Sequence, residues 1–258
     1  MRRFARLVYV LALSVLPVLG CGSDGGGAMA GTGGAAGAGG LDGRGPDPTA
    51  KLIEDYLDAY AEELLEPGGP GFAVQVMDAN GVLVEKAYGM ADIELEVPID
   101  SEISFNLGSV SKMFTAMGVL ILYEDAELAL DDSLTQFFPE GPAAWDDITV
   151  HHVLTHQAGF PGVGGGSQGW TNEEVLSWLL EQPLEFDPGS AFFYTDTAYI
   201  MLALLIERVA DQPFETFMED RIFSPLGMES SEIVSRFPPD VIGGAISYLG
   251  TQRYEWPK

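Results

Sequence analysis

The chain has 258 residues, with 12 Lys and Arg against 39 Asp and Glu and a formal net charge of −27. That balance argues against nucleic-acid binding, which draws on a basic surface, and against a positively charged peripheral contact with a membrane. One Cys argues against a disulfide framework and a multi-Cys metal site, and a hydrophobic fraction of 47% suffices for the core of one domain, with room for an inserted subdomain.

Arg2, Arg3 and Arg6 form a basic start, and Leu7 to Leu19 is an apolar run broken only by Ser14 and Pro17. At 13 residues the run is short for a bilayer span and fits the core of a signal peptide, expected over 1–20. Val18-Leu19-Gly20-Cys21 resembles a bacterial lipobox, in which Cys21 becomes the lipidated first residue. An ordinary signal peptide with an incidental Cys is the alternative. Residues 22–45 hold 12 Gly in 24 positions, so 21–48 is expected to be a flexible tether. The folded domain, 49–258, is then expected in the cell envelope, attached to a bacterial membrane through the lipid anchor only.

Leu52, Ile53, Tyr56, Leu57, Tyr60 and Leu64 recur at three- and four-residue steps. With Thr49 as cap and Pro67-Gly68-Gly69 as stop, the pattern predicts an amphipathic helix over about 50–66. Phe72, Val74 and Val76 alternate with smaller or polar residues, Asp78-Ala79-Asn80-Gly81 makes a turn, and Val82 to Tyr88 returns as a second strand. Helical patterns follow over 109–124, 149–156, 172–181, 197–210 and 213–223, separated by Pro- and Gly-rich loops at 139–142, 159–169 and 183–190. The expected class is α+β: an antiparallel sheet with an N-terminal helix, plus a large helical subdomain.

Three clusters carry possible chemistry. In Ser109-Val110-Ser111-Lys112, a helix opening at Ser109 puts Lys112 one turn on and on the same side. The helix N-terminus and the apolar Met113, Phe114 and Met117 both disfavour an ammonium, so the lysine pKa is expected to fall and Lys112 to help activate the serine. Ser111 as nucleophile would leave Lys112 off its face. The bland reading is a capping serine with a snorkelling lysine. In Phe193-Tyr194-Thr195-Asp196-Thr197, Tyr194 on a loop before a helix can present its hydroxyl to that pair, as a phenolate base; the bland reading is a packed core tyrosine. His151, His152 and His156 form the third cluster. His152 and His156 have zinc-ligand spacing but no following Glu and no evident third ligand, so a buried or capping His before a Gly turn is preferred and no metal is expected. Gly165-Gly166-Ser167-Gln168-Gly169 matches a nucleophile elbow, but Pro161 to Gly166 cannot be a buried strand and every His precedes Ser167.

Phe105 to Lys112, Thr149 to Pro161, Tyr194 to Tyr199 and Pro225-Leu226-Gly227-Met228 occur in an order and spacing that resembles the penicillin-recognising serine hydrolases. The likeness is greatest to the β-lactamase-related branch, with class C β-lactamases, D-alanyl-D-alanine carboxypeptidases and esterases. The resemblance implies a β-lactamase/transpeptidase-like fold and an acyl-enzyme on Ser109, with Lys112 and Tyr194 handling its proton. The Ser109 N–H would supply half of an oxyanion hole. The substrate would be a small molecule or peptide (a cell-wall peptide, a β-lactam or an ester), and no cofactor is required.

Two departures stand out. The family's Tyr-x-Asn reads Tyr-x-Asp here. Asp196, expected at the substrate-binding side, only accepts hydrogen bonds, would pair with Lys112 and raise its pKa, and so shifts the base role towards Tyr194. No Lys-Thr-Gly or His-x-Gly triplet follows Met228, so the chain is expected to be C-terminally truncated, with only the first hairpin of its sheet. The alternative function is a catalytically defective surface lipoprotein that keeps the scaffold as a binding or vestigial module.

Overall fold

The computed structural model describes residues 47–100, 103–163 and 170–233, together with the backbone of 248–249 and 252–253. The expected signal peptide, Cys21, the tether up to residue 46 and Ser167 lie outside the described residues, while Asp47 and Pro48, expected in the tether, cap and open the first helix. The chain divides into two compact units, the first built mainly from residues up to 103 and the second from 104 onward. No helix among the described residues is long and apolar enough to cross a membrane.

In the first unit, helix α1 runs Pro48–Leu64. It starts earlier than expected and with a different cap. Asp47, not Thr49, accepts from the Thr49 N–H at 2.7 Å, because Pro48 at the first helical position has no N–H to lose. The predicted apolar stripe is only partly used: Ala61 is buried, while Leu52 and Tyr56 are exposed. Instead Asp58 anchors the helix to the second strand, accepting from the Tyr88 hydroxyl at 2.7 Å and from Lys86 at 3.2 Å.

Strands β1 (Phe72–Asp78) and β2 (Gly81–Tyr88) form the predicted antiparallel hairpin, from Phe72 opposite Tyr88 to Asp78 opposite Gly81. Val74 and Val84 fill its buried face. Gly71 is required by close approach, since a Cβ there would stand 1.6 Å from the Tyr88 carbonyl oxygen. Two further ladders were not foreseen: β3 (Met90–Asp92) with β4 (Val97–Pro98), and β5 (Tyr248–Leu249) with β6 (Gln252–Arg253). Each is a two-stranded ladder of its own and adds no strand to the hairpin. These pairs are two or three residues long, too short for period-two alternation to register.

The second unit is helical. Its elements are α2 (Ser111–Glu124), entered through a 3₁₀ turn at Gly108–Val110, then α3 (Val150–Leu154), α4 (Asn172–Leu179), α5 (Asp196–Ala210) and α6 (Phe214–Met218). The predicted helix over 213–223 breaks into α6 and a π-turn at Glu219–Phe223. Helix α5 is buried on nearly every side, through Ala198, Met201, Leu202, Leu204, Leu205 and Ile206, as a helix apolar all round must be. Trp145, Phe138 and Phe160 complete the core, with the Trp145 and Phe160 ring centroids 5.3 Å apart. Gly118 lets α2 approach α5, since a Cβ there would meet Ile206 Cδ1 at 2.9 Å. Leu205→Ala is expected to lower the unfolding free energy by about 3 kcal/mol, read by urea denaturation, because the side chain is fully enclosed and its cavity cannot collapse.

Candidate active site

The site lies within the second unit, where the heads of α2 and α5 bring the first two clusters together. Ser109 does not open the α-helix itself. It sits in the 3₁₀ turn, with the α-helical ladder starting at Ser111. Gly108 enters that turn at φ +51°, and its N–H donates to Asn106 Oδ1 at 2.8 Å. The i, i+3 relation to Lys112 survives: Lys112 Nζ donates to Ser109 Oγ at 3.3 Å. Ser111 is engaged elsewhere, its hydroxyl donating to the Gly108 carbonyl at 2.7 Å.

Lys112 Nζ also meets Asp196 Oδ1 at 2.5 Å and lies 4.9 Å from the Tyr194 ring centroid and 5.8 Å from that of Tyr199. The lysine side chain is 14% exposed and the aspartate 66%, so this ion pair is enclosed at one end and wet at the other. Asp196 is the first residue of α5, where a carboxylate also complements the helix dipole. Thr195 caps that helix through Oγ1, which accepts from the Thr197 N–H at 3.0 Å.

The electrostatics follow from these contacts. Burial pulls the Lys112 ammonium down, but acceptance by Asp196 and Tyr194, and their charges, outweigh it and leave its pKa above the ordinary lysine value. The depressed pKa expected from the helix N-terminus and the apolar flank is thus overturned by Asp196, in the direction expected for that substitution in Tyr-x-Asn. Tyr194 moves the opposite way. The nearby Ser109 hydroxyl, then Lys112, hold its pKa below the ordinary phenol value. Lys112 Nζ is the group that joins the two clusters, on Ser109 Oγ on one side and over the Tyr194 ring on the other.

His156 is buried before the Gly turn, as expected, but its place beside Tyr194 was not foreseen. It adopts φ +58° where the chain turns out of α3. Its ring stacks 4.5 Å from Tyr194, 5.0 Å from Tyr199 and 5.8 Å from Phe192, centroid to centroid. Its Nδ1 accepts from the Thr195 N–H at 3.4 Å and its carbonyl from the Phe193 N–H at 3.0 Å. Burial, then Lys112, press its pKa below the ordinary value, so it stays neutral and Nδ1 stays an acceptor. His156 thereby fixes the loop that carries Tyr194. Its position inside Thr149 to Pro161 was the only available signal. His152 closes a capping box with Thr149 at the start of α3. Among the described residues no group of His, Cys, Asp and Glu is placed to hold a metal ion.

An α+β fold with Ser-x-x-Lys at the head of one helix and a tyrosine at the head of another defines a β-lactamase/transpeptidase-like protein. Residues 50–251 match the family described as Beta-lactamase, and the chain belongs to that family. It is 27% identical over 190 residues to penicillin-binding protein 4* of Bacillus subtilis, covering 70% of this chain and 42% of that protein. It is 32% identical over 219 residues to esterase EstB of Burkholderia gladioli, covering 74% of this chain and 56% of that protein. The solved structure of EstCE1, described as a hydrolase with promiscuous acyltransferase activity, superposes with a TM-score of 0.69 at 23% identity, over 81% of this chain and 60% of that one. The chain spans about half the length of these two curated relatives.

Proposed function

We propose that the protein is a serine acyl hydrolase working through an acyl-enzyme on Ser109. The observation that carries this reading is the convergence on Lys112 Nζ, which donates to Ser109 Oγ at 3.3 Å and lies 4.9 Å from the Tyr194 ring centroid, with the lysine pKa pushed up and the phenol pKa pushed down. Ser109 Oγ attacks the acyl carbonyl while its proton passes to the Tyr194 oxygen. That proton then goes to the leaving group as the acyl bond breaks. Lys112 stays protonated and holds the phenolate and the attacking oxygen by charge. The Ser109 N–H, ahead of the helical ladder, receives the carbonyl oxygen in this reading as it becomes an oxyanion. Water then attacks the acyl-enzyme ester, Tyr194 takes its proton and passes it to Ser109 Oγ as the acyl–oxygen bond breaks, and the acid leaves. Esters, peptides and β-lactams all satisfy this chemistry, in keeping with an esterase and a penicillin-binding protein among the relatives.

Incubating the full chain with a fluorophosphonate and mapping the adduct by intact mass and peptide sequencing tests the reading. One adduct on the peptide holding Ser109 is expected. No adduct would favour a non-catalytic module, to which the Asp196–Lys112 pair lends support because it ties up the lysine that a lysine-based mechanism would need neutral.

The same proposal places the domain in the bacterial envelope on a lipid at Cys21, supported by the basic start, the apolar run and the Gly-rich stretch beyond it. Cys21→Ala is expected to move the protein from the detergent phase to the aqueous phase on Triton X-114 partition. Attachment to the membrane unchanged by that substitution would remove the lipid anchor from the proposal.

A further inference from the structure

Asp196 and Ser109 share one cation: Lys112 Nζ donates to Ser109 Oγ at 3.3 Å and to Asp196 Oδ1 at 2.5 Å. Its carboxylate reaches Lys112, yet two-thirds of the side chain is open to solvent. The cations among the described residues of this unit are Lys112, Arg208 and Arg221, and each already holds a carboxylate: Asp196 at 2.5 Å, Glu140 at 2.6 Å and Asp125 at 2.5 Å. A second anion near Ser109 would therefore meet an exposed carboxylate and would have to compete with it for Lys112. The apolar surroundings point the same way. Phe192 is 66% exposed and rests on His156, the ring on which Tyr194 also stacks. Phe105 and Leu107, four and two residues before Ser109 in the chain, are exposed as well. Exposed aromatic side chains gain by covering an uncharged, apolar group and gain nothing from a carboxylate.

We infer that Asp196 acts as an electrostatic filter that admits uncharged acyl donors with an apolar part, and turns away donors that carry a carboxylate near the scissile bond. This deepens the acyl-enzyme reading and rests on it. The chemistry selected is ester cleavage: Ser109 Oγ forms the new ester, the acyl–oxygen bond to the departing alcohol breaks, and the alcohol leaves with the proton that Tyr194 took from Ser109. The filter acts before that step, on the encounter of substrate with site. An exposed like-charge contact at this range costs on the order of a tenfold preference at low salt and is screened by added salt.

Two isosteric probes test it: 3-carbamoylphenyl butyrate, which is neutral, and 3-carboxyphenyl butyrate, which differs by one charge. With the full chain at low ionic strength, kcat/KM is expected to favour the neutral ester by about tenfold. In about 0.5 M salt the ratio is expected to narrow severalfold, mainly through a faster reaction of the carboxylate ester. Asp196→Asn is expected to narrow the ratio at low salt without needing added ions; the salt series on the native chain gives the same information should that variant fold poorly. Equal rates, or a preference for the carboxylate ester at low salt, overturns the filter while leaving the acyl-enzyme intact. Absence of turnover of both esters together with absence of a fluorophosphonate adduct at Ser109 overturns the acyl-enzyme reading, and the filter falls with it.

Discussion

Ser109→Ala is expected to abolish the fluorophosphonate adduct and to lower ester turnover by about a thousandfold or more, whereas Ser111→Ala keeps turnover within a few-fold of the native chain. The two hydroxyls are two residues apart on one turn, and their surroundings decide between them. Ser109 Oγ accepts from Lys112 Nζ at 3.3 Å, which leaves its own proton free to depart with the oxygen still held by a cation. Ser111 Oγ donates to the Gly108 carbonyl at 2.7 Å, which keeps its proton and turns the oxygen away from the ammonium. Losing that bond costs about 1 kcal/mol of local stability and no nucleophile. The pair of variants, checked by circular dichroism for retained helix content, separates a chemical loss from a structural one. Label on Ser111, or full turnover by Ser109→Ala, would refute the assignment.

The contact between Ser109 and Lys112 was legible because a local rule fixes it. The i, i+3 step sets Ser109 against Lys112 even though the turn between them is 3₁₀ in place of α. Helix α5 was legible because its apolar run ends at a clear cap, Thr195. The direction of the Lys112 shift hangs on Asp196, 84 residues away, and the Tyr-x-Asp departure made that pairing legible as well. What escaped depended on distance. His156 was expected as a buried or capping histidine before a Gly turn, but its contacts with Phe192, Tyr194 and Tyr199 come from residues 36 to 43 positions on and left no local mark. The apolar stripe of α1 predicted burial that Leu52 and Tyr56 do not have among the described residues, since periodicity reports a face and not what covers it. The π-turn at Glu219–Phe223 carries no sequence mark that we can name.

Lys112→Met is expected to lower ester turnover near neutral pH by about 10²- to 10⁴-fold, with part of the loss recovered as the pH is raised. Lysine and methionine fill similar space, so the change removes the charge and leaves the packing on α2 largely in place. With it go two of the influences that hold the Tyr194 phenol below its ordinary pKa, while Asp196, which acts to raise it, loses its partner and remains. The phenol pKa therefore rises, less phenolate is present at neutral pH, and the rising limb of the pH–rate profile moves to higher pH. The native profile distinguishes the two bases. Tyr194 titrates below the ordinary 10.0 and Lys112 above the ordinary 10.5. If phenolate is the base and ammonium its support, the native rate rises through the Tyr194 ionisation and falls again only when Lys112 loses its proton. Tyr194→Phe then flattens the rising limb and no pH restores the rate. If neutral Lys112 were the base, the native limb would lie above 10.5 and Tyr194→Phe would leave it in place. Asp196 makes that second outcome costly, because every turnover would begin by neutralising an ammonium that has a carboxylate 2.5 Å away.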